Sequence, residues 1–282
     1  MSELIKPDSQ LDYCAFADAS ISCYQLSDVQ LTFCGKLDEP SEYSPPFLPH
    51  STDLFKLEIY KPYTRPHPEE SLTEENRPNV CCAHLAEVSW RHFLPYGQDV
   101  AIVGYCTLNI RIHWASKDYM QQAGVNDLLQ VDQHRRFYFH DCVAHPLSSP
   151  TYINPETEAD IETLDIHGRT WLKTPQGNTG VHRKFHFTTA LTSEHLLVLD
   201  LCPTGYWAQG TEPPADVLEK VMVSFWDFMS HLNIVDDPEQ QGTPGIELKG
   251  DMLARFEYEQ EQAKAREAQA QNPTEEDDGM GW

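Results

Sequence analysis

The sequence predicts an α+β protein: a largely antiparallel sheet packed by a long helix toward the C-terminal end. Three observations predict it. Stretches rich in Val, Ile, Cys and aromatics recur from Val80 to Cys202. Clusters of turn-forming residues separate them at short intervals. A later stretch, Val217–Leu232, instead carries its apolar residues at helical spacing.

Residues 1–20 carry few bulky apolar side chains and read as an arm. Ile21–Leu26 and Val29–Leu37 read as two short strands joined at Ser27-Asp28. Pro40–His50 holds four prolines and reads as a loop. Leu54–Tyr60 alternates Leu54, Lys56 and Glu58 against Phe55, Leu57 and Ile59, the pattern of a half-buried strand. Pro62–Asn79, with four prolines and four glutamates, reads as a linker or long surface loop.

Val80–Trp90, Val100–Trp114 and Arg135–Val143 read as strands. In the second, Ile110, Ile112 and Trp114 share one face, and Asn109, Arg111 and His113 the other. Ser116–Leu129 holds a short helix with Gly124 as its stop. Asp160–Ile166, the turn His167-Gly168, Arg169–Leu172, the turn-rich Pro175–Gly180, Val181–Thr189 and His195–Cys202 make an antiparallel meander. Pro213-Pro214 leads into the helix, and Asp216 suits its dipole. Val217, Val221, Phe225, Phe228 and Leu232 form its stripe, and Asp236-Asp237-Pro238 stops it. Three regions result: 1–79, with the arm, short strands and acidic Pro-rich loop; 80–238, the main α+β domain; and 239–282, an acidic helical or disordered tail. Residues 236–282 hold 13 acids and 4 bases, a net of 13 − 4 = 9 negative charges.

A content of 40% hydrophobic residues in 282 is enough for a sizeable core. The formal charge of −24 argues against nucleic acid and anionic membrane as partners and favours a basic protein. The first residues lack the apolar region of a signal peptide, and the longest aliphatic run, His195–Cys202, is too short to span a bilayer. A cytoplasmic location is the expectation, and there the eight cysteines read mainly as small buried hydrophobes.

No nucleophile elbow, phosphate loop, dinucleotide fingerprint or zinc-protease motif is present in the sequence. Two pairs have metal-ligand chemistry: Cys82 with His84, and His140 with Cys142. On strands each pair shares a face, and two neighbouring strands would close a Cys2His2 zinc site. The plain alternative is core filler and polar edges. The expectation is no cofactor, with zinc as the alternative. A second constellation is cationic: Arg135 and Arg136 beside His134, and His182 and Lys184 around Arg183. If their strands pair, the polar face binds an anion or an acidic group of a partner. Otherwise it is a solvated face. His195, after Ser193-Glu194, is a candidate base for a His-based hydrolase.

Residues 161–234 resemble the PsbP-like α/β/α sandwich family and its small bacterial relatives. The likeness lies in Ile166-His-Gly-Arg-Thr-Trp171, the hairpin to Val181–Leu191, the strand His195–Cys202 and the closing helix with Val221-Met-Val-Ser-Phe225. The resemblance implies an adaptor or accessory protein rather than an enzyme, and carries no site residues. The resulting expectation is a bacterial, cytosolic, non-enzymatic protein acting through protein–protein contacts. An immunity-like role against a basic toxin is one such use. The competing class is a zinc-dependent or His-based hydrolase.

Overall fold

The structure, a computed structural model, describes residues 19, 21–35, 47–62, 78–96, 99–144, 152–178, 182–205 and 215–236. Residues 1–244 form one compact unit. Residues 245–282 lie outside the described residues, as do nearly all of the expected N-terminal arm, most of the Pro-rich loop and the helix expected at Met252–Gln271.

Two sheets carry the fold. β1 (Ile21–Leu26) and β2 (Val29–Cys34) form a tight hairpin, with Ser27 at φ 51° in the turn. β3 (Ser51–Thr52) joins β1 in parallel, and β12 (Asn233–Asp236) joins β2 antiparallel. The first strands of the chain thus share a sheet with residues that follow the last helix.

The larger sheet is antiparallel, in the order β4 (Lys61–Pro62), β5 (Val80–Tyr96), β6 (Asp99–Ala115), β11 (His195–Gly205), β10 (His182–Ala190), β9 (Arg169–Asn178). β7 (Tyr152–Ile153) and β8 (Glu162–Ile166) both pair with the outer edge of β9. Side chains alternate between its faces. Leu108, Ile110, Ile112, Leu197, Leu199, Leu201 and Phe187 occupy one face and are all fully buried.

The cover on that apolar face is α3 (Ala215–Ser230) and the small sheet. Phe225 stacks on Phe187 at 4.3 Å, and Phe228 meets Phe33 of β2 at 5.7 Å. Gly35 is held close, since a Cβ there would stand 3.2 Å from Val88. The stripe read from the sequence is the buried one: Val221, Phe225, Phe228 and Leu232 are 3% exposed or less. α3 stops earlier than the sequence suggests. Ser230 and His231 turn their side chains onto the Asp227 carbonyl, and Asn233–Asp236 pairs with β2 as a strand.

The opposite face is covered by α1 (Lys117–Gln122) and α2 (Val131–Ala144). Ser116 caps α1 by accepting from the Tyr119 amide, and Gly124 follows at φ 68°. The strand expected at Arg135–Val143 is helix α2. His134, Phe137 and Tyr138 are its buried residues, at i, i+3 and i+4. The aromatic content that suggested a strand is instead a helical face packed on Val198, Ala190 and Leu196. The strand expected at Leu54–Tyr60 is a turn followed by a 3-10 segment, Leu57–Ile59. Leu54 and Tyr60 are buried there and Phe55 is 52% exposed, the reverse of the expected face. Among the described residues no helix is long and apolar enough to cross a membrane.

Candidate functional site

Beneath α2 the larger sheet carries a row of polar side chains that cross four strands. β6 supplies Asn109, Arg111 and His113. In register, His84 of β5 lies opposite Arg111 and Cys82 opposite His113. Asp200 of β11 lies opposite Asn109 and, on its other side, opposite His186 of β10. Asp200 is 4% exposed, and both of its oxygens are engaged. Oδ2 meets the Arg111 guanidinium, and Oδ1 lies 2.5 Å from His186 Nδ1. Tyr138 of α2 stacks on the His186 ring at 5.4 Å and shares a 2.7 Å hydrogen bond with Thr174 of β9. One turn earlier, His134 Nε2 and Thr188 are 2.9 Å apart.

Burial and the Arg111 charge act together on the neighbouring imidazoles. Desolvation, then Arg111, lowers His84 to about 4. The same two causes push His113 well below the usual histidine range. Burial, then Arg135, lowers His134 to about 3. These three rings are neutral near neutral pH. Asp200 is the anion that makes Arg111 tolerable at this depth.

The residues singled out for zinc fall on two kinds of element. Cys82 and His84 share a face of β5, as the strand spacing requires. His140 and Cys142 lie on α2, where residues two apart diverge around the helix. His140 packs on Tyr119, and the Tyr119 hydroxyl donates to Asp141. Burial raises the Cys82 thiol, and burial with Asp141 pushes Cys142 up to about 12, away from the thiolate that zinc prefers. Among the described residues no three His, Cys, Asp or Glu side chains are grouped to hold a metal.

The cationic pair Arg135–Arg136 is likewise helical, so its expected pairing with the strand at His182 does not form; β10 pairs with β9 and β11. Arg135 donates to the Thr163 hydroxyl of β8 and faces Asp132 at 3.7 Å. Arg136 is exposed beside a shallow pocket of about 340 Å³ lined by Gln121, Asn126 and Gln133. The side chains of His182 and Lys184 lie outside the described residues. His195 is fully buried: Nε2–H donates to the Leu54 carbonyl (3.0 Å), leaving Nδ1 to accept from Thr192 (2.7 Å). Stacked at 5.2 Å on Trp114, it anchors the 54–60 segment. That tertiary contact explains why Leu54 turns inward.

At the rim beyond β9 the chain turns acidic. Residues 156–165 carry Glu156, Glu158, Asp160, Glu162 and Asp165; Glu158 is half-buried and the other four are exposed. Asp160 accepts from the amide and hydroxyl of Thr157 and from the Glu156 amide, and those bonds, Thr157's first, hold its carboxyl below the usual range. Glu162 pairs with Lys173 at 2.7 Å, and Asp165 accepts from the Gly168 amide.

Sequence reasoning missed the Arg111–Asp200–His186–Tyr138 row. Its signal was present in the alternation of Asn109, Arg111 and His113 and in the lone Asp200 inside an aliphatic run. A charge in such a run needs a buried counter-charge. Comparison of the chain with protein-family models, curated proteins and solved structures finds no match.

Proposed function

We propose that this chain is a non-enzymatic binding or accessory protein of bacterial type, cytosolic, which engages a basic protein partner in an immunity-like way. The observation that carries the reading is the exposed acidic rim at 156–165, on a chain of formal charge −24. Like charges so arranged speed encounter with a cationic surface and discourage acidic ones. The buried polar row serves this role as scaffold: the Arg111–Asp200–His186 contacts and the Tyr138–Thr174 bond fix α2 against the sheet and so present the rim. We further infer kinship with the PsbP-like sandwich, closed by α3 as its long C-terminal helix; helices on both faces of one antiparallel sheet support it. Affinity capture from the native cell tests the reading. The expected result is a basic protein released by raised salt. An acidic partner, or a complex indifferent to salt, overturns it.

A second reading, a His-based hydrolase, is favoured by one observation. An aspartate on Nδ1 of a histidine, as in Asp200–His186, is the arrangement that orients a general base. Its expected signature is loss of ester hydrolysis in His186→Gln without loss of fold.

A further inference from the structure

We propose that the outer edge of β8 is a strand-addition site for a basic, extended segment of the partner. The inference rests on the binding reading above and names how the partner docks.

The hairpin fixes which backbone groups face outward. His167 (φ 54°) and Gly168 (φ 75°) are both left-handed, as a two-residue type I′ turn requires. In such a hairpin the closing pair, here Ile166 and Arg169, exchanges backbone hydrogen bonds, and every second pair does likewise. Glu162, Leu164 and Ile166 therefore spend their N–H and C=O groups on β9. Those of Thr163 and Asp165 point away from it. Among the described residues no strand pairs with that side of β8.

Protein edges are ordinarily blunted by charge, Pro or a bulge. β8 reads Glu-Thr-Leu-Asp-Ile, guarded by charge alone. Its charges choose among occupants. A second copy would bring the same acidic stretch, 156–165, against this one, and like charges so close are unfavourable. A segment bearing Lys or Arg meets opposite charge instead, at Glu162 on one face or at Asp165 on the other.

The test uses the full chain and a short synthetic peptide alternating lysine with valine, with a glutamate–valine peptide as control. Binding is read by calorimetry at low and raised salt, and amide exchange at Thr163 and Asp165 by NMR. The lysine peptide is expected to bind, to weaken with salt and to protect both amides. Thr163→Pro removes one outward N–H and is expected to weaken binding about tenfold. Thr163→Ser, which keeps that N–H and the hydroxyl that accepts from Arg135, is expected to bind as the native chain does. The protection measurement needs no variant and stands if Thr163→Pro fails to fold. Protection of both amides without peptide, with dimerisation, overturns the proposal in favour of self-pairing. Peptide binding with unprotected β8 amides, or no binding, overturns it too. A basic partner captured from cells while β8 stays unprotected would sink only the edge and leave the binding reading in place.

Discussion

Replacing His134 with Gln changes how stability responds to acid. His134 is 2% exposed, and burial lowers its ring to about 3, against 6.5 for the unfolded chain. The sign follows from where the proton goes. Between these values the unfolded chain binds it and the native one does not, so unfolding gains as pH falls. His134 therefore costs nothing above about pH 6.5 and removes about 1.4 kcal/mol of stability for each pH unit below it. At pH ~4.5 the accumulated loss is about 3 kcal/mol. Gln cannot take up this proton. At neutral pH His134→Gln loses the Thr188 hydrogen bond and some packing, so it starts about 1–3 kcal/mol less stable. Urea unfolding of both proteins across this range provides the measurement. Other groups titrate in both and cancel in the difference. The gap between the two curves is expected to shrink steadily with acid and to close or invert near pH ~4.5. A gap that stays constant would show that His134 titrates normally in the native protein, and the account of its burial would fail.

The remaining expectations concern neighbouring groups. Tyr138→Phe leaves the buried Thr174 hydroxyl short of a partner and is expected to cost about 1–3 kcal/mol, while Tyr138→Phe with Thr174→Val costs less than the two changes summed. Asp200→Asn strips the counter-charge from half-buried Arg111 and is expected to destabilise by about 3 kcal/mol in chemical unfolding; a loss below about 1 kcal/mol would place Arg111 in solvent. Gly168→Ala forces a side chain into the left-handed turn and is expected to cost about 1 kcal/mol, visible as a lowered Tm. Elemental analysis is expected to find well under one zinc per chain, and a chelator to leave Tm unmoved; a stoichiometric metal would restore the Cys82–His84 site.

The strands at Val80, Val100, Arg169, Val181 and His195 were legible because alternation is a local property. Each of these stretches reports its own inner and outer face, whatever it packs against. The same is true of α3, whose apolar stripe has only one periodic reading, and of the turns at Ser27-Asp28 and His167-Gly168. Residues 131–144 were not legible in this way. A run rich in Tyr, Phe, His and Cys satisfies strand propensity, and only contact with Val198, Ala190 and Thr174 selects the helix that buries every third and fourth side chain. Leu54–Tyr60 followed suit, turned by a histidine 141 residues away.

Charge and composition, which require no partner in space, were determined by the sequence: an acidic chain with a core of its own. Pairing was decided by the tertiary structure alone. Arg111, Asp200 and His186 become one row because antiparallel register sets them side by side. The acids of 156–165 become a rim because β8 lies outermost. Register and strand order are long-range choices, made by the burial of many side chains at once, and no single stretch of residues contains them.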